Sequence, residues 1–179
     1  MRRSMFALAA ALPASFATSA TAEVVPSETG GFASTHTAVV AADPAATWAM
    51  LIEPQHWWSH SWSDNSANMS LNPVAGGCFC EVIPDPAGGA PGSAEHARVV
   101  MVMPGRTLRM VGALGPLQSE GLAGTLTVTL AEVDAGTQIT WDYVIGGQSR
   151  LPLGELAPVV DSVQAEFLGG LVEALGGAV

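Results

Sequence analysis

Two long alternating segments followed by a helix, all in the C-terminal third of the chain, limit the possible folds more than any other feature. In "GLAGTLTVTLAEV", Leu126, Val128 and Leu130 alternate with Thr125, Thr127 and Thr129. Successive side chains on a strand point to opposite faces, so this pattern predicts a strand with one buried face. Asp134-Ala135-Gly136 signals a turn, and "TQITWDYVIGG" beyond it sets Ile139, Trp141, Tyr143 and Ile145 on one side. From Glu155 to Leu175 the period becomes helical, with Leu156, Val159, Val160, Val163, Phe167, Leu171 and Leu175 on one stripe. A hairpin with one apolar face and a helix with one apolar stripe each need a cover, and each suits the other. The expected class is α+β: a curved antiparallel sheet of about seven strands wrapped around a long C-terminal helix.

The remaining segments supply the other strands. Phe32 to Ala42 is β-branched and ends at Asp43-Pro44, an N-cap followed by proline at the first helical position. "PAATWAMLI" and "PQHWWSHSW" then read as two short helices after the first strand. "NMSLNP" is a short strand, Gly76-Gly77 feeds a strand over Cys78–Ile83, and residues 84–93 form a long turn. Glu95–Met103 and Thr107–Gly112 pair across the turn at Pro104-Gly105. Residues 32–179 form one domain, with no internal repeat.

The first 22 residues carry a different message. Arg2 and Arg3 precede an apolar run from Met5 to Ala17, and Ala20-Thr21-Ala22 makes a small-x-small site before Glu23. This is the pattern of a cleavable signal peptide, with an apolar run too short to cross a bilayer. "SMF" after the arginines matches a twin-arginine signal poorly, which favours the general secretory route. Export to the periplasm or beyond is therefore expected, with residues 23–31 a flexible lead-in. Nothing in the chain predicts a stable membrane anchor.

Charge narrows the partners. The chain has a formal net charge of −10 and no lysine, and cleavage would also remove Arg2 and Arg3. Such a surface repels phosphate backbones, and no basic stripe exists, so nucleic acid is excluded as a partner.

The order of several short motifs then resembles a known superfamily. "AADPAATWAML", a P-x-x-W helix, a Gly-Gly strand, "MVMPGRTLRM", "GTLTVTL", "AGTQITW" and the final helix are similar to the SRPBCC, or START / Bet v 1-like, pattern over Phe32 to Leu175. The nearest likeness is to its polyketide cyclase/dehydratase-like and activator-of-Hsp90-ATPase-like branches. The resemblance implies a seven-stranded sheet gripping the C-terminal helix, with an apolar cavity between them. It implies no one reaction, because function lives in the site and not in the fold. An exported location separates this chain from cytosolic co-chaperones.

Within that frame Cys78 and Cys80 have three readings. If the two strands pair so that Glu81 opposes His96, then Cys78, Cys80, Val99, Met101 and Met103 share the inward face. The thiols are then small residues of a cavity wall. A disulfide between residues i and i+2 of a regular strand is strained, because their Cα atoms stand about 6.5–7 Å apart. Two thiolates beside Met101 and Met103 also make a soft set suited to Cu(I).

The preferred function is reversible binding of a small hydrophobic molecule, with no cofactor. The expected cavity residues are Cys78, Cys80, Val99, Met101, Met110, Leu126, Val128, Trp141, Tyr143 and Phe167, with Trp57, Trp58 and Trp62 at the entrance. A cyclase- or dehydratase-type enzyme is the alternative, with Tyr143, Glu81 or His96 as acid or base. In this register Glu81 and His96 face solvent as a weak charge pair. Arg109 and Arg150 are the remaining polar options, while Asp142 points away from the cavity. His56 and His60 lack a third ligand at recognisable spacing. Neither the catalytic constellation nor the oligomeric state can be read from the residues.

Overall fold

The computed structural model describes residues 23–27 and 30–179, so the expected signal peptide over 1–22 lies outside the described residues. Eight antiparallel strands form one sheet: β1 (Glu23–Ser27), β2 (Gly31–Val40), β3 (Met69–Leu71), β4 (Cys78–Ile83), β5 (Gly92–Met103), β6 (Thr107–Val111), β7 (Gly121–Val133) and β8 (Gly136–Gln148). Their order is β1-β2-β8-β7-β6-β5-β4-β3. The expected seven strands are β2 to β8. The lead-in differs from expectation, because residues 23–27 pair with β2 as an edge strand.

Two helices complete the fold, α1 (Pro44–Leu51) and α2 (Leu153–Ala174). Asp43 caps α1 by accepting from the Ala46 N–H at 2.8 Å, with Pro44 behind it where a missing N–H costs nothing. The second short helix shrinks to a 3-10 turn over Pro54–His56, since Pro54 leaves room for little more before the tryptophans. Among the described residues no helix is long and apolar enough to cross a membrane.

Alternation predicts the central strands correctly. Ile139, Trp141, Tyr143 and Ile145 of β8 are all buried, as are Leu126, Val128 and Leu130 of β7. Helix α2 covers them with Phe167, Leu168 and Leu171. A Cβ on Gly170 would strike the Trp57 carbonyl, so the glycine lets the helix lie against the 3-10 turn.

Strands β4 and β5 depart from the expected register. Phe79 pairs with Ala97 but Cys80 pairs with Glu95, leaving His96 as the extra residue of a bulge in β5. A bulge re-aims side chains. Here Phe79, Glu81, His96, Ala97 and Val99 are buried, while Cys78, Cys80 and Val82 lie on the outer side with partial or full exposure. A second shift between Val99 and Met101 pairs Met101 with exposed Arg109, whose Nη1 lies 3.7 Å from the Met101 Sδ. Met103 pairs with Thr107, and Val102, between the two methionines, packs against the core.

The cysteines are joined to each other. Cys78 and Cys80 form a disulfide with their Cα atoms 5.4 Å apart, closer than a regular strand allows because the pairing shifts between Phe79 and Cys80. Protein isolated without reductant is therefore expected to give no free thiols, and two after reduction. With a sequence separation of only 2, the constrained loop is short, so reduction should lower stability by about 1–2 kcal/mol. Thiol counting and thermal melts check both, and free thiols in the unreduced protein would refute the bond.

Candidate functional site

The interior divides into a packed end and an open end. Around Trp141 the space is filled: Trp57 meets it edge-on with ring centroids 5.9 Å apart, and Phe79, Leu108, Met110 and Val128 close the remainder. Only a void of about 10 Å³ is left there. Toward the N-terminal half of α2 the sheet and helix separate, leaving a pocket of about 400 Å³. This lies within the range of about 300–1,000 Å³ typical of small-molecule sites.

Three segments shape the open pocket. Helix α2 presents Leu156, Val160 and Val163, a loop with a 3-10 turn over Gly115–Ser119 presents Leu114 and Leu117, and Trp58 stacks on Phe167 at 3.6 Å. Trp62, Leu151 and Val159 line the mouth and are exposed at 48, 38 and 59%. Three large apolar side chains are thus left in solvent around one opening.

Of the expected cavity residues, the pocket gathers Trp58, Trp62, Tyr143 and Phe167. Trp57, Met110, Val128 and Trp141 belong to the packed end, while Leu126 and Val99 are buried core outside the pocket wall. Cys78, Cys80 and Met101 lie on the outer side. The soft-metal arrangement is not assembled, because both sulfurs of the cysteines are spent on each other. Arg150 binds Glu120 at 2.7 Å and braces the loop at the pocket edge, and Arg109 stays on the outer face with Thr127. Asp142 accepts from Thr35 on the outer face, as expected. His60 pairs with Glu166 at 2.8 Å in an exposed position.

The polar heart of the site is Glu81 with His96, both buried instead of solvated. The turn at Ser61–Asp64, where Asp64 takes a positive φ of 54°, aims two backbone N–H groups inward. Trp62 N donates to Glu81 Oε2 at 2.9 Å and Ser63 N to Oε1 at 2.6 Å. His96 Nε2 meets Oε2 at 2.8 Å. Burial alone would raise the Glu81 pKa, but hydrogen bonds from Ser63, Trp62 and His96 outweigh it and hold the group below the usual carboxylate value. Beside the bulge, Gln118 Nε2 donates to the Glu95 carbonyl at 2.8 Å. The other ring nitrogen of His96, Nδ1, has no partner.

Tyr143 lies at the back of the pocket wall. Its hydroxyl accepts from Leu114 N at 3.1 Å and donates to the Gly112 carbonyl at 3.3 Å. Burial pushes its pKa up to about 12, against the smaller lowering effect of the Leu114 N–H. It therefore holds the Gly112–Leu114 segment in place and is a poor acid.

One polar cluster escaped sequence reasoning. Ser34 Oγ donates to Asp161 Oδ1 at 2.6 Å, and His36 Nε2 lies 2.9 Å from the same oxygen, tying β2 to α2. Ser34 and Asp161 both meet the same ring nitrogen, so the three cannot relay a proton through the imidazole. The available signal was positional: Ser34 and His36 alternate with Ala33 and Thr35 on the face shared by Phe32.

Comparison with known proteins agrees with the fold. The family described as "Polyketide cyclase / dehydrase and lipid transport" matches residues 32–176. An uncharacterized protein from Rhizobium leguminosarum is 15% identical with a TM-score of 0.60, covering 89% of this chain and 99% of its own. A protein of unknown function from Staphylococcus aureus is 14% identical with a TM-score of 0.61, covering 83% of this chain and 96% of its own. DynU16, a protein of the dynemicin biosynthetic locus, is 17% identical with a TM-score of 0.53, covering 79% of this chain and 46% of its own. No curated protein matches the sequence.

Proposed function

We propose that this chain, which belongs to the polyketide cyclase / dehydrase and lipid transport family, is an exported protein that holds a small hydrophobic molecule between its sheet and its C-terminal helix. The observation that carries the reading is the pocket of about 400 Å³, apolar in its walls and rim, beside an interior that is otherwise packed. Sheet and helix leave this space open between them, with Trp62, Leu151 and Val159 facing solvent at its mouth. The N-terminal pattern of Arg2-Arg3, apolar run and Ala20-Thr21-Ala22 supports export. So does the Cys78–Cys80 bond, since disulfides persist in oxidising compartments.

Nile red is a suitable probe, and Val163→Trp a suitable block, because Val163 stands in the pocket wall on α2. At a probe concentration of about 100 times Kd, bound dye should stabilise the native protein by about 2.7 kcal/mol. The block should weaken binding about tenfold or more, which is 1.4 kcal/mol, while the folded circular dichroism spectrum stays unchanged. Equal binding by the two proteins, or none by either, would sink the reading. Native mass spectrometry of protein taken from its own compartment should also show an organic adduct.

A cyclase- or dehydratase-type enzyme is the second reading, favoured by His96 in the pocket wall with Glu81 buried behind it. The two separate on whether the bound molecule leaves chemically changed.

A further inference from the structure

The bond between the chain's two cysteines lies apart from the pocket, on the outer face of the sheet. Strand β4 turns Phe79 and Glu81 inward, where Phe79 meets Trp58 edge-on at 4.7 Å. Cys78 and Cys80 alternate with them, point the other way and keep partial exposure. From Cys78 the outer row continues through Arg98 on β5 to Val111 on β6, both exposed, and Val82 on β4 is exposed beside it. Helix α2 covers the opposite face with Phe167, Leu168 and Leu171. A thiol in solution therefore meets this bond without the protein opening.

The bond also does little for the fold. Its two ends are neighbours on one strand, with a sequence separation of 2, so it ties no two elements together. A ring that short removes little freedom from the unfolded chain. The small stability expected from it corresponds to a factor of about 5–30 in the folded-to-unfolded ratio. Coupling is reciprocal, so the fold strengthens the bond by no more than that same factor. Exposed disulfides with so little support are the ones that exchange with thiols. A polar pair also stands beside the sulfurs: Glu95 Oε2, bound by Arg98 Nη2 at 2.5 Å, lies 3.9 Å from Cys78 Sγ.

We propose that Cys78–Cys80 is a thiol–disulfide exchange site, which takes two electrons from a dithiol. One thiolate of the dithiol bonds to one cysteine sulfur and breaks the Cys78–Cys80 bond, and the other cysteine leaves as a thiolate that takes up a proton. Where Cys78 is the one expelled, Glu95 Oε2 is placed to accept its S–H. The donor's second thiolate then attacks the donor sulfur of the mixed disulfide. The donor departs as a disulfide, and the second cysteine takes up its proton. Two electrons and two protons have then passed from the dithiol to Cys78 and Cys80. The site is separate from the pocket and does not depend on what the pocket holds.

Dithiothreitol and glutathione are the probes, with alkylation and mass spectrometry to count thiols. Dithiothreitol should reduce the native protein at a rate within about 30-fold of the rate in concentrated urea, the most that the fold adds to the bond. In about 10 mM reduced and about 0.1 mM oxidised glutathione, the dithiol should outnumber the disulfide, whereas a structural bond would stay oxidised by about a hundredfold. Circular dichroism of the reduced protein should keep the folded spectrum. Native reduction slowed beyond that factor, a disulfide still in the majority in the glutathione buffer, or unfolding on reduction would each overturn the proposal, because the bond would then be structural. None of these results bears on dye binding in the pocket.

Discussion

Replacing Glu81 with alanine is expected to lower the free energy of unfolding by about 3–5 kcal/mol, since each buried donor left unsatisfied costs about 1–3 kcal/mol. Three donors lose their acceptor together: Trp62 N, Ser63 N and His96 Nε2. The first two belong to the turn that closes the mouth of the pocket, so the same change should loosen Trp62. Glu81→Gln keeps the volume but turns an amide NH₂ toward a ring of donors, so its cost should fall between alanine and wild type. The pH dependence gives an independent check. The folded-state pKa of Glu81 lies below the ordinary value of 4.5. Its contribution is therefore fully present above about pH 4.5 and is lost as pH falls through the folded pKa. Urea unfolding from neutral to acid pH should show the gap between wild type and Glu81→Ala narrowing below that point. A loss of less than about 1 kcal/mol at neutral pH would mean that the cluster contributes little beyond a surface pair.

The same cluster marks where the sequence stopped being readable. In β7 and β8 threonine alternates with leucine or valine, and Trp141 with Asp142, so only one choice of inner face avoids burying a charge. In β4 and β5 both faces offer apolar residues: Cys78, Cys80 and Val82 against Phe79, Val99 and Met101 against Val100 and Val102. The rule that charges face water then chose, and it chose wrongly. Glu81 and His96 go inside because they satisfy each other and two backbone N–H groups, which removes most of the penalty the rule assumes. One extra residue, His96, also shifts the pairing, and a shift of one turns every side chain to the other face. The misplacement of both cysteines followed directly.

The cavity was legible in kind but not in place. The helical stripe on α2 and the alternation on β8 require a sheet–helix interior, and both are as expected. Where that interior stays open depends on the Pro116-Leu117 turn and on Leu151, which carry no periodic signal. Ring size decides where it closes, and Trp141 decides most.

Trp141→Ala is accordingly expected to cost about 3–5 kcal/mol, as deletions of large buried rings do. The indole is fully buried, meets Trp57 edge-on, and donates from Nε1 to Gln164 Oε1 at 2.9 Å. Trp141→Phe separates these contributions. It retains much of the ring and leaves the buried Gln164 oxygen without its donor, a loss of about 1–3 kcal/mol. The alanine variant has a second consequence that phenylalanine lacks. Gln164 lines the open pocket while Trp141 borders the packed end, so removing the indole extends the pocket toward Leu108 and Val128. Space so created is walled by apolar side chains and should take up a small aromatic solute such as toluene. Toluene should therefore raise the Tm of Trp141→Ala by more than it raises the wild type's. If the variant loses little stability, or gains no more from toluene than wild type does, Trp141 is not the residue that divides filled interior from open pocket.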